Sequence, residues 1–337
     1  MEKPFKTGVS LLLALMVSVG AGSCQRRPAG GQTGQDVSGP VPVCHLLACS
    51  GAAANSGAKF LVNGEWNQSH DYADISQVRD ILRKVKEAGI RVVGVEFTNP
   101  AAWAVDGGGA VNRECADPAW EEFRPVLGNI VRVCEEEGLE YFLFIGDPQA
   151  LSMDYCNKVA GFIWEQYAQG TAYRRYGFGD DRPLLVFLLP GETFWSLWEQ
   201  VPDEEKDRLS RFRIGTCQVN DPITAAPSDG WGYRNMSESA DGAVRFCCPN
   251  AGVAPADWAR VDAQEWKRRV KWALGAKEYA VFGSYDDTCD AVMWGICDVS
   301  HSTEPSHVNP STVGSPAVYY DILKEQLQMS CSHKTDP

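Results

Sequence analysis

From Lys59 onward the chain alternates short, nearly continuous apolar runs with longer stretches whose apolar residues recur every three or four positions. The first kind reads as buried strand and the second as amphipathic helix. Lys59–Trp66 is a strand candidate. Val78, Ile81, Leu82 and Val85 then mark a helix over Ile75–Ala88, stopped by Gly89. The strand Arg91–Asn99, a helix from Pro118 to Glu137 and the strand Glu140–Asp147 follow. Next come a helix over Ser152–Arg175, a strand at Pro183–Leu189, a helix over Phe194–Phe212 and the strand Arg213–Val219. Shorter strands are expected at Gly230–Tyr233 and Ala243–Cys247. The helix Ala263–Leu274 leads into the apolar run Tyr279–Tyr285, interrupted only by Gly283 and Ser284, and Ala317–Leu327 is a closing helix.

Strands that are apolar on both faces and separated by helices belong to a parallel sheet covered on both sides. About eight of them favour one α/β domain, a somewhat irregular (β/α)8 TIM-type barrel over residues 58–330 with a short tail at 331–337. No GxGxxG follows the first strand, which argues against a dinucleotide site.

The start of the chain has a different texture. Lys3 and Lys6 precede an uncharged apolar run from Val9 to Val19, as in a signal peptide, here residues 1–23. Ala21, Gly22 and Ser23 before Cys24 resemble a bacterial lipobox, which implies a lipid-anchored Cys24 and a place in the cell envelope, periplasmic or on the outer surface. Without the lipid the chain would be secreted. Residues 24–57, rich in Gly, Pro, Ser, Gln and Ala, read as a flexible tether. Twelve Cys are compatible with disulfides in an exported chain, and their spacing has no metal-site pattern, so neither metal nor cofactor is expected. A net charge of −13 argues against a nucleic-acid partner.

In a barrel of this kind the chemistry sits at the C-terminal ends of the strands. The expected ends are rich in acids, amides and aromatics: Glu65 and Trp66, then Glu96 and Asn99, then Asp147. Glu192 follows the fourth strand, Gln218 and Asn220 the fifth, Trp231 and Tyr233 the sixth, and Asp286, Asp287 and Asp290 the last. Together they describe a carboxylate-lined cup with aromatic walls, suited to a glycan. Glycoside hydrolysis needs one acid to protonate the leaving oxygen and another to activate water or attack the sugar. The five His residues lie in no nucleophile–base motif, and neither GxSxG nor HExxH occurs.

The run Ser284-Tyr285-Asp286-Asp287-Thr288-Cys289-Asp290 resembles the Ser-Trp-Asn-Asp-Tyr-x-Glu strand end of glycoside hydrolase family 71, the α-1,3-glucanases, which recurs in relaxed form among family 99-like barrels. The stretch Phe142–Asp147 is similar to that family's third strand. The resemblance implies a (β/α)8 barrel that hydrolyses an α-linked glycan with inversion. It makes Asp287 and Asp290 the base and acid, with Asp147 as the third-strand carboxylate. This chain departs from the pattern at Asp286, which replaces an Asn, and at Asp290, which is one methylene shorter than Glu. Shortening moves the carboxyl by about 1.5 Å, enough to lower the rate about 10²-fold, so Glu192 or Glu96 becomes an alternative proton-transfer group. The same departures leave open a noncatalytic glycan-binding lipoprotein on a degenerate hydrolase barrel.

Overall fold

The computed structural model describes residues 39–47, 59–62, 65–68, 72, 74–98, 120–146, 153–187, 191–203, 206–216, 236–239, 241–249, 261–283, 299–300 and 318–332. They form a mixed α/β structure around one large sheet. Its strands are β1 (Val41–Leu47), β4 (Val92–Thr98), β5 (Glu140–Gly146), β6 (Arg175–Gly177), β7 (Asp180–Phe187), β8 (Arg213–Thr216), β9 (Met236–Glu238), β10 (Val244–Cys247) and β11 (Tyr279–Phe282). A separate antiparallel sheet holds β2 (Lys59–Val62), β3 (Glu65–Gln68) and β12 (Val299–Ser300).

Seven strands of the large sheet run parallel, in the spatial order β8-β7-β5-β4-β1-β11-β10. The other two, β6 and β9, are antiparallel additions to β7 and β10. The sequence-last strand β11 thus lies beside the sequence-first strand β1, which is the wrap-around order of a barrel. Among the described residues no ladder joins β8 to β10, so the expected ring of eight is here an arc of seven. The two edges face each other across a small cleft, of about 90 Å³, lined from one side by Arg213 and Ile214 and from the other by Asp241 and Val244.

The strands are buried on both faces, as their unbroken apolar runs require. Tyr141, Phe142, Leu143, Phe144 and Ile145 of β5 are all buried, as are Leu184–Phe187 of β7 and all of β11. The helices are α1 (Ile75–Glu87), α2 (Trp120–Glu137), α3 (Met153–Ile163), α4 (Gly191–Glu199), α5 (Asp207–Ser210), α6 (Ala263–Ala273) and α7 (Val318–Ser332). Asp74 caps α1 by accepting from the Ser76 N–H at 2.9 Å, and the predicted stripe Val78, Ile81, Leu82 and Val85 is its buried face. Beyond its C-terminal end Gly89 takes φ +96°, a conformation L side chains resist.

Four expectations change. Val41–Leu47 lies inside the stretch read as tether, yet it is a central strand with parallel neighbours on both sides. Lys59–Trp66 is not the first barrel strand but falls in the β2–β3 hairpin, because Asn63 and Gly64 interrupt it and its two halves pair with each other. The helix expected over Ser152–Arg175 ends with a π-helical turn at Trp164–Ala168, after which Arg175 opens β6. The helix expected over Phe194–Phe212 is broken into α4 and α5, since Pro202 has no N–H to continue the ladder.

Candidate functional site

The N-terminal end of the parallel strands is stoppered. The β6–β7 hairpin brings Tyr176 and Phe178 against Tyr279, the first residue of β11, with ring centroids 5.7 and 5.3 Å away. The Tyr279 hydroxyl donates to the Tyr176 carbonyl, and the Tyr176 hydroxyl donates to the Glu278 carboxylate. Arg174 donates to Glu140 at 2.6 Å and lies over the Tyr279 ring, while Arg213 lies 5.0 Å from the Tyr176 centroid. Burial pushes the Tyr279 phenol up to about 12. Every polar tip in this plug has a partner, as a structural closure requires.

The other end differs in kind. His45 of β1 stands opposite Gly94 of β4, and Glu96 lies two residues further along the same ladder, opposite Leu47. His45 Nε2 and Glu96 Oε2 are 3.0 Å apart, with the side chains 0% and 1% exposed. That is an ion-pair distance, with the N–H turned off the line of a good hydrogen bond. The imidazole meets the Phe144 ring edge-on at 4.7 Å and the Phe246 ring at 6.3 Å. Two glycines clear the room for these rings. A Cβ on Gly283 would stand 2.7 Å from His45 Cβ and 2.8 Å from Phe246 Cε2, and one on Gly94 would stand 2.4 Å from Phe144 Cε2. A titratable pair is thus enclosed by aromatic edges toward the C-terminal end of the strands.

Of the residues expected to form the cup, Glu96 is the one whose side chain is described, and it is buried where β4 nears its end. Glu192 is the second residue of α4. Glu65 and Trp66 lie in β3, so they do not end a strand of the large sheet. Asn99, Asp147, Gln218, Asn220, Trp231, Tyr233, Asp286, Asp287 and Asp290 lie outside the described residues, as does Cys24. His45 was missed. Its signal was the unbroken run Val41–Leu47, obscured by Gly-, Pro- and Ser-rich flanks. Among the described residues no group of three or more His, Cys, Asp and Glu is placed to hold a metal ion.

No protein-family model matches the chain, and no curated protein matches it. Solved structures do. An endo-α-mannosidase of glycoside hydrolase family 99 from Bacteroides thetaiotaomicron is similar at 9% identity and a TM-score of 0.49, over 87% of this chain and 98% of that one. A glycoside hydrolase-like protein is similar at 11% identity and 0.47, over 86% and 94%. A bacterial fucosidase is similar at 10% identity and 0.38, over 86% and 72%. At these TM-scores the likeness decides neither activity nor site residues.

Proposed function

We propose that the chain is an exported glycoside hydrolase that cleaves an α-linked polysaccharide or oligosaccharide with paired carboxylates at the ends of its parallel strands. One observation supports this most. The seven strands run parallel with β11 beside β1, so their C-terminal ends lie on one side, and Asp147 follows β5 in sequence while Asp286, Asp287 and Asp290 follow β11. The strands that precede these acids in sequence end on the side toward which Glu96 lies buried in β4. In this proposal Asp287 and Asp290 act as base and acid, Asp147 stabilises charge on the sugar, and Glu192 is the alternative proton donor. One carboxyl protonates the leaving oxygen as the other activates water. Lipid on Cys24 would hold the enzyme at the cell envelope.

A reducing-sugar assay over a panel of α-glucans and α-mannans tests it, with Asp287→Asn as the control. Wild-type release that falls about 10²-fold or more in the variant is the expected result, the usual range for losing a proton-transfer group. Equal release by both proteins removes Asp287 from catalysis. A second reading, a noncatalytic glycan-binding lipoprotein, is favoured by Asp290 standing where the resembled motif has Glu. It predicts glycan binding without turnover, unchanged by Asp287→Asn.

A further inference from the structure

The cleft between the two open edges of the large sheet is lined by polar groups that the fold leaves partly unspent. On one wall Arg213, the first residue of β8, has its guanidinium 5.0 Å from the Tyr176 ring centroid. Among the described residues it makes no hydrogen bond and no ion pair, and Asp180 on the neighbouring strand is held instead by Arg182 at 2.6 Å. A guanidinium stacked by its face keeps its N–H edge for another partner. On the other wall Asp241 accepts from the Ser239 hydroxyl at 2.7 Å and from the Ala243 N–H at 2.9 Å, both at Oδ1. That turn holds the carboxylate in place and leaves Oδ2 with acceptor capacity. Arg213 and Asp241 therefore line one cleft as opposite charges that do not pair with each other. The third group is Trp195 of α4, 37% exposed and part of the same lining, its ring standing at 88° to Phe194 and 82° to Trp198.

We propose that this cleft is a saccharide-binding site that holds one uncharged sugar ring between Arg213, Asp241 and Trp195. A lone anion would meet Asp241 and a lone cation would meet Arg213, so neither suits both walls. A sugar does. Each of its hydroxyls both donates and accepts, so one takes N–H bonds from Arg213 while another donates to Asp241 Oδ2. The apolar C–H face of the ring packs on the amphipathic Trp195 indole. Size points the same way. At about 10–15 Å³ for each water, the cleft of about 90 Å³ takes roughly six to nine water-sized groups, enough for one ring with part of its hydroxyls but not for a buried chain. The site lies where β8 and β10 begin, beside the Tyr176 stopper, and so on the opposite side from the strand C-terminal ends. It needs no hydrolysis: a chain that cleaves nothing would still hold a sugar here.

Nuclear magnetic resonance reads the cleft directly. In the full chain isotope-labelled at its tryptophan indole nitrogens, the cross-peak lost in Trp195→Phe is that of Trp195. Methyl α-glucoside, methyl α-mannoside and methyl α-galactoside are titrated against that peak, with inorganic phosphate and free glycine as charged comparisons. At least one glycoside should shift it saturably at roughly millimolar concentration, the scale for so small a ligand. Arg213→Ala should weaken that binding about tenfold or more, as expected for losing a charge-assisted hydrogen bond. Asp241→Asn should weaken it by a similar factor, since the amide keeps an oxygen for Ser239 and Ala243 but sets a donor where Oδ2 accepts. Asp287→Asn should bind as the wild type does, whatever the reducing-sugar assay shows. No shift from any of the three glycosides overturns the proposal, as does binding that Arg213→Ala or Asp241→Asn leaves unchanged. Tighter binding of phosphate or glycine than of every glycoside overturns it too. Should Arg213→Ala not fold, Asp241→Asn decides alone.

Discussion

The Phe144 ring fills the space that Gly94 leaves empty: a Cβ at position 94 would stand 2.4 Å from Phe144 Cε2 and 3.1 Å from Phe142 Cζ. Both rings belong to β5 and neither can swing aside, since each is buried among its neighbours. Gly94→Ala is therefore expected to lower stability by about 1–3 kcal/mol, the range for overpacking a filled core. Urea unfolding followed by circular dichroism measures it. Combining it with Phe144→Leu should recover part of the loss, because the two residues contest one volume. Full additivity of the two changes would show that they do not.

Helix α6 carries a pH-sensitive terminus. Asp262 accepts from the Glu265 N–H at 2.8 Å, and the Glu265 carboxylate accepts from Arg268 at 2.7 Å and from Arg269 at 2.9 Å. The hydrogen bonds from Arg268 lead in drawing the Glu265 carboxyl from 4.5 down to about 2, against the opposing effect of burial. The unfolded chain binds this proton before the folded one does, so the contribution is complete above about pH 5 and is lost as pH falls toward 2. The stability difference between wild type and Glu265→Gln should shrink across that window. A difference that stays flat from pH 5 to pH 2 would refute this.

The amphipathic helices were legible because their stripe is local: Val78, Ile81, Leu82 and Val85 needed no partner to be recognised. The strands β4, β5 and β11 were legible for the same reason, as unbroken apolar runs. What was not legible depends on pairing across distance. Lys59–Trp66 carries a hairpin signal in Asn63-Gly64, but its residues do not say that the hairpin stays off the large sheet. Val41–Leu47 shows the converse, a core strand hidden by the composition around it, and with it went His45. Glu96 was read as a strand-end acid, but its partner lies 51 positions away by numbering, and only the β1–β4 register brings the two together.

Pro42 adds a reason to pass over that strand, since proline is usually excluded from the middle of a sheet. It is tolerated because of where it stands. The Val41 N–H donates to the carbonyl of Glu278, the residue just before β11, so the missing N–H of Pro42 would have pointed toward β4, whose ladder begins only at Val43. Pro42→Ala should therefore change stability by no more than about 1 kcal/mol, through the freedom of the unfolded chain. Cys44→Pro removes an N–H on the same side but inside the ladder, opposite Val93. It should prevent soluble expression or lower stability by about 3 kcal/mol or more. Equal stability of the two variants in guanidinium unfolding would contradict the register.

Tyr279 holds the stopper together, and its two properties can be measured apart. Its hydroxyl donates to the Tyr176 carbonyl, and its ring faces Arg174 and Phe178. Tyr279→Phe keeps the ring contacts and leaves a buried carbonyl without its donor, for a loss of about 1–2 kcal/mol. Because burial raises the phenol to about 12, the folded protein keeps this proton where the unfolded chain releases it near 10. The associated stability is present below pH 10 and disappears between about 10 and 12 as pH rises. Absorbance titration of wild type minus Tyr279→Phe should show one phenol ionising near 12. A difference step near 10 in folded protein would mean that solvent reaches the ring, and the N-terminal end of the strands would then be open rather than stoppered.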